Sequence, residues 1–253
     1  MDVDTDQSWK GLYHLGRILL VLVCIGGLTA STMGRALYSL GYPSNATVYL
    51  QLVSQKQLLA NSLWSLWILI DFLLIAPSIA LYLILRRDNR TLALVGTLLS
   101  LFYIFYDISV TELNSLTLVS LSQGYASATT DALRATYVAA ATYGYAALPL
   151  QTVLSFGVGA VGWLLWSVVI LKEHTFHRWT GVFGIIVNVI GIIGAAAPLA
   201  LTSYILGLCQ FLAVPLTGLW FIIIGVALFR FNQKNMRAVN SLSCDLSTLS
   251  LCF

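Results

Sequence analysis

The sequence predicts an all-α fold, a polytopic bundle of six transmembrane helices, on three observations. Of 253 residues, 58% are hydrophobic and only 9% are charged, against about 25% charged in a typical soluble domain. So few charges cannot cover a water-facing surface, and lipid must take the place of water. Six apolar runs recur along the chain, each near the roughly 20 residues that a helix needs to cross about 30 Å of hydrocarbon. Lys and Arg gather in the short connections between runs, as they do in cytoplasmic loops.

Residues 1–17 form a polar leader with Asp2, Asp4 and Asp6 ahead of Lys10 and Arg17. The first span is expected at about 18–34. Its acidic leader and the lack of an A-x-A site argue for a retained helix rather than a cleaved signal. The remaining spans are expected at about 62–85, 91–112, 149–171, 180–200 and 204–229. Together they form one membrane domain over 18–229, followed by a tail, 230–253, that is Ser-rich near its end. Pro77, Pro198 and Pro215 fall inside or at the ends of spans, where neighbouring helices can satisfy the backbone groups they free.

The orientation follows from counting Lys and Arg. Ten lie on one side: Lys10, Arg17, Arg86, Arg87, Arg90, Lys172, Arg178, Arg230, Lys234 and Arg237. Three lie on the other: Arg35, Lys56 and Arg134. The richer side is cytoplasmic by the positive-inside rule, which puts both termini there and 35–61 and 113–148 outside, in a cell-membrane protein. These two segments are expected to be partly helical caps lying on the bundle. A short helix over 130–143 would start at a Thr130 or Asp131 cap. Tyr125, Tyr137, Tyr143 and Tyr145, with Trp64 and Trp67, suit an interfacial aromatic belt.

Two acids fall within apolar runs. Asp71 is fifteen residues before Arg86, and Asp107 is seventeen after Arg90. At 1.5 Å per residue, those separations are about 22 and 25 Å. The two helices leave one loop in opposite chain directions, so the carboxyls share a depth in the outer half. An ionised Asp at a span centre costs about 2.5–3.5 kcal/mol, so each should face the bundle interior or hold its proton. Ser100, Tyr103, Asp107, Thr111 and Asn114 make one stripe at helical spacing, and Trp64, Trp67, Asp71, Ser78 and Tyr82 another. Glu112 is expected at the outer boundary, in water. Asn188 and Gln210, in the later spans, are expected as interhelical hydrogen-bond donors or as groups lining a pocket. The candidate intramembrane polar site is therefore Asp71, Asp107, Tyr103, Asn114, Asn188 and Gln210. Its role is either a proton or cation site or interhelical hydrogen bonding, at about 0.6 kcal/mol per contact. Small residues line one face of span four (Ser155, Gly159, Gly162) and of span five (Gly181, Gly184, Gly191, Ala195), which favours close helix packing.

Other chemistries find little support. Cys24, Cys209, Cys244 and Cys252 make no CxxC or metal spacing. His14, His174 and His177 lie outside the spans, which disfavours a haem held between helices. HExxH, GxSxG and Walker sequences are absent. No cofactor or metal is expected. The scattered basic residues form no nucleic-acid patch. The expected partners are the lipid bilayer and either a second copy or another membrane protein.

The stretch from Asp71 to Gly96 contains Leu-Tyr-Leu-Ile-Leu-Arg-Arg-Asp-Asn-Arg-Thr-Leu-Ala-Leu, and a later one runs Arg178-Trp-Thr-Gly-Val-Phe-Gly-Ile. With Phe156-Gly-Val-Gly-Ala-Val-Gly-Trp-Leu-Leu-Trp-Ser between them, they resemble a prokaryotic membrane family, domain of unknown function 4386, over roughly residues 18–229. The resemblance implies six spans and carries no catalytic residue across. The chain departs from the family pattern at His177, where Pro is usual, and in the long segment 113–148.

Three functions are compatible with these features. The first is a non-enzymatic membrane protein of unknown role, a sensor or accessory subunit, in keeping with the missing catalytic motifs. The second is a small proton-coupled transporter using Asp71. The third is a membrane enzyme acting on lipid, with Asp71, Asp107 and Glu112 as acid–base groups.

Overall fold

The computed structural model describes residues 9–38, 43–172, 176–196, 199 and 212–228. The described elements are all helical. They are α1 (Lys10–Tyr38), α2 (Ala46–Gln55), α3 (Gln57–Leu85), α4 (Arg90–Tyr106), α5 (Leu113–Ser127), α6 (Asp131–Thr152), α7 (Val158–Lys172), α8 (Arg178–Ala196) and α9 (Leu212–Leu228). Two π-helical segments interrupt the series. π1 (Asp107–Glu112) joins α4 to α5, and π2 (Val153–Gly157) joins α6 to α7. Five continuous helices are long and apolar enough to cross a membrane, and α9 is a shorter apolar sixth. The expected sixth span, 204–229, begins outside the described residues.

Local chemistry sets the helix starts. Asn45 Oδ1 accepts from Val48 N at 3.0 Å, Asn89 Oδ1 from Leu92 N at 3.0 Å, and Thr130 Oγ1 from Leu133 N at 3.2 Å. Each satisfies a first-turn amide that would otherwise lack a partner. Pro77 sits within α3 and removes one donor from its ladder. One residue on, the Ser78 hydroxyl donates to Leu74 O at 2.8 Å. Lys56 ends α2, and its Nζ donates to Ala36 O at 2.6 Å and Leu37 O at 3.4 Å. A cation thus meets the last carbonyls of α1, where the helix dipole favours it.

The segment 113–148 departs from the expectation of separate caps. α4, π1 and α5 form one rod of 38 residues, Arg90–Ser127, and α6, π2 and α7 one of 42, Asp131–Lys172. At 1.5 Å per residue these are about 57 and 63 Å long, about twice the hydrocarbon thickness. The two rods are joined at residues 128–130 as a helical hairpin longer than a bilayer's hydrocarbon is thick. α2 packs against this hairpin, burying Tyr49, Leu50 and Val53. Of the aromatic residues expected in a belt, Tyr125 and Tyr145 take part in this packing. Tyr145 donates to Pro43 O and its ring meets that of Tyr49 at a tilt, with centroids 5.5 Å apart, and Gln51 Nε2 donates to the Tyr125 hydroxyl at 3.1 Å. Tyr143 is the exposed exception, at 85%.

Within the bundle, α1 packs on α3, α4 on α7, and α7 on α8. α9 closes the remaining side. Trp220 Nε1 donates to Thr180 O of α8 at 3.1 Å, Phe221 meets Trp163 of α7 edge-on at 5.2 Å, and Gly218 lies against Cys24 of α1. The small residues of span four face α4. A Cβ on Gly162 would lie 2.7 Å from Gly96 O, and one on Gly159 would lie 2.8 Å from the Tyr103 ring. These two glycines set how closely α7 approaches the helix that carries Tyr103 and Asp107.

Candidate functional site

The chain brings three carboxyls together in the bundle interior. Asp71 on α3 is completely buried, Asp107 is 8% exposed and Glu112 is 3% exposed. Asp71 and Asp107 are direct neighbours, and Glu112 interacts electrostatically with both. The short turn at 86–89 explains the first pair. It fixes the vertical register of α3 against α4, and similar distances from the turn bring the two Asp to one depth.

Glu112 corrects its expected place in water at the outer boundary, and π1 is the reason. In an α-helix, residues five apart point to different faces. A π-helical segment bonds i to i+5 and brings them onto nearly the same one. Asp107, Thr111 and Glu112 are therefore all buried. π2 lies against π1 and contributes Ser155, which with Thr111 and Asp71 forms the polar surroundings of Asp107. Two π segments facing each other at the level of the acids are the main local irregularity of the described fold, and such segments recur at functional sites.

The hydrogen bonding is incomplete. Tyr103 donates its hydroxyl to Asp71 Oδ1 at 2.8 Å. Asp71 Oδ2, Thr111 Oγ1 and Glu112 Oε2 are buried without a hydrogen-bond partner among the described residues. Among the described residues, no Lys or Arg pairs with any of the three carboxyls. Below them a second polar set holds the helices. Trp163 Nε1 donates to Ser100 Oγ at 3.1 Å, and Ser100 Oγ lies 3.2 Å from Ser78 Oγ. Trp163 also meets Tyr103 edge-on at 5.3 Å, so it braces the tyrosine that binds Asp71. A cavity of about 40 Å³ reaches this point between α1, α3, α7 and α9, lined in part by Cys24, Trp67, Tyr103, Trp163 and Thr217. It has room for about one water, whose share of liquid volume is about 30 Å³.

Of the six residues nominated from sequence, Asp71, Tyr103 and Asp107 meet here. Asn114 does not join them through its hydrogen bonds. Its Nδ2 donates to Gly144 O and to Gln151 Oε1, both at 2.9 Å, and so ties α5 to α6. Asn188 is buried in the α7–α8 contact, donating to Gly184 O at 2.8 Å and Ser167 Oγ at 3.3 Å. Gln210 lies outside the described residues, as does His174. His177 is exposed, and its Nδ1 accepts from Trp179 N at 3.3 Å.

An all-α bundle of membrane-length apolar helices around buried acids defines the class, an integral membrane protein. The chain belongs to the family described as Domain of unknown function (DUF4386), which matches residues 16–229. No curated protein and no solved structure matches it.

Proposed function

We propose that this protein is a small proton-coupled membrane carrier, with Asp71, Asp107 and Glu112 as its proton-binding centre. In this reading the bundle crosses the cell membrane six times with both termini cytoplasmic, as the ten-to-three division of Lys and Arg favours. The observation that carries the proposal is the meeting of three buried carboxyls with no basic partner among the described residues. Membrane interiors tolerate such groups at a cost of about 2.5–3.5 kcal/mol each when charged, and they recur in proton relays. Without a Lys or Arg, the compensating positive charge has to come from a proton or a bound cation. The three carboxyls are within electrostatic reach of one another but do not converge closely enough to form a three-ligand metal site among the described residues, which favours the proton.

The groups around the centre are Tyr103 of α4, Thr111 of π1, Ser155 of π2, and Asp107 and Glu112 themselves. None brings a fixed positive charge. Acid–base chemistry on a lipid fits less well, because the cavity reaching Tyr103 is about 40 Å³, too small for an ester-bearing chain.

Two measurements on protein reconstituted in liposomes test the proposal. Infrared difference spectra across pH should show a titrating carboxyl band that shrinks in Asp71→Asn, Asp107→Asn and Glu112→Gln. Solute-driven proton uptake should be abolished in Asp71→Asn. Uptake at full rate with unchanged pH dependence in that variant would overturn the mechanism.

A further inference from the structure

The far end of the hairpin carries a second feature, unconnected to the acids by any hydrogen bond described above. An open cleft of about 710 Å³ lies between the start of α3, the end of α2 and the α5–α6 pair. That volume falls in the range of small-molecule pockets, about 300–1,000 Å³. Its polar lining consists of the hydroxyls of Ser54, Ser120, Ser127 and Tyr137 and the amides of Gln57 and Gln123. Among the described residues, no charged side chain lines it.

We propose that this cleft binds a neutral, polyhydroxylated group, a sugar ring or polyol, as the substrate or regulatory ligand of the carrier. Its use in transport rests on the preceding reading, whereas the binding itself does not. Three observations support this chemistry. Gln57 lines the cleft, and its Nε2 is shielded from solvent with no hydrogen-bond partner among the described residues, so a turn of its side chain toward a ligand oxygen would satisfy a donor that is costly to leave unmet. Ser54 and Ser127 donate to Gln51 O at 2.8 Å and Gly124 O at 3.2 Å, which leaves their oxygens free to accept from ligand hydroxyls. Tyr137 supplies an aromatic face with a polar tip. Its ring lies so near Gly124 that an added Cβ would sit 2.3 Å from Cε1, so Gly124 is what allows Tyr137 to reach the cleft wall. An anionic or cationic solute would find no countercharge here.

The sugar can arrive free or as the headgroup of a glycolipid. α3 is 29 residues long, about 43 Å, so Gln57 stands at or beyond the bilayer surface. The test uses the full chain in phosphatidylcholine nanodiscs, without sugar detergents. Free galactose and maltose are titrated calorimetrically in one arm. In the other, nanodiscs containing a monogalactosyl diacylglycerol are compared with plain ones by the protection of 120–127 from hydrogen exchange. Saturable binding in either arm is expected, and the responding arm identifies the source. Binding should weaken about tenfold in Gln57→Leu and at least as much in Gly124→Ala. Gln123→Ala, at an exposed position, guards against misfolding and should also weaken it. Asp71→Asn should bind normally, which separates this proposal from the proton mechanism. Absence of binding in both arms, preference for glucuronate or inorganic phosphate, or unchanged binding in all three cleft variants would overturn it.

Discussion

Tyr103 and Asp71, 32 positions apart in sequence, are joined by a hydrogen bond of 2.8 Å in which the phenol donates to Oδ1. This contact ties α4 to α3 at the depth of the acids. Trp163 holds the tyrosine from α7 by an edge-to-face contact at 5.3 Å. A change at the hydroxyl is therefore felt both by the carboxyl centre and by helix packing.

Tyr103→Phe keeps the ring and removes the donor. Asp71 would then lose its phenol donor, while its Oδ2 already lacks a partner among the described residues. The expected loss is about 1 kcal/mol, at the low end of the range for an unmet buried acceptor because interhelical bonds in lipid average near 0.6. For a chain of this size, that lowers the unfolding midpoint by about 2–4 °C. Thermal unfolding in nanodiscs checks it. An unchanged midpoint together with unchanged proton uptake would show that the contact is dispensable.

Glu112 gives a sharper contrast, because its burial depends on the π turn. In a chain whose own cysteines are replaced by Ser, Glu112→Cys should react slowly with a water-soluble maleimide. Gln123→Cys, exposed on the same rod, should react at least about tenfold faster, since thiol reactivity follows access. Equal rates would mean that residue 112 faces water, as ordinary helical spacing implies.

That contrast also marks where the sequence stops being informative. Apolar runs and turn residues suffice for most of the helices, and spacing narrows the cap of α6 to Thr130 or Asp131, of which Thr130 is the one used. The shared depth of Asp71 and Asp107 follows from counting residues to one turn. A π segment has no compositional signature in Asp107–Glu112 or Val153–Gly157, so Glu112 was assigned to the surface and Ser155 only to a small-residue stripe. The hairpin 113–148 was hard to read for a related reason. Its Ser- and Ala-rich helices are less apolar than the spans they extend, and a drop in hydropathy looks the same whether a helix ends or leaves the membrane. Asn114 lies just past the expected third span and Asn188 within the expected fifth, and spacing along one helix does not say which neighbour either side chain faces.

The α4–α7 contact predicts a steep dependence on side-chain size. Gly162→Ala puts a methyl 2.7 Å from Gly96 O and 3.1 Å from Ser100 N. Both are backbone atoms, so relief requires the helices to separate. The cost should be about 1–3 kcal/mol, as for other overpacked sites, and the Ser78–Ser100–Trp163 set would loosen with it. Gly11→Ala, where an added Cβ meets nothing within 4 Å, should be neutral or slightly stabilising. Unfolding of the two variants side by side measures the difference, and equal stabilities would mean that the helices are not in close contact.

Lys56 is counted with the few basic residues of the sparsely charged side, yet its role is local. Its Nζ reaches Ala36 O and Leu37 O at the end of α1, while its backbone stands between α2 and α3. One side chain thereby joins three helices at the far end. Lys56→Met keeps the aliphatic stem and removes the charge, leaving the two carbonyls to water. The loss should be about 0.3–1 kcal/mol, the usual value of a cation at a helix C-terminus, and it should shrink with added salt because that interaction is screened. Lys56→Arg should retain most of the stability, since a guanidinium can donate to the same carbonyls. Unfolding of the three proteins at low and high salt separates the possibilities. A loss in Lys56→Met that is the same at both salt concentrations would assign the effect to packing of the stem and not to the charge.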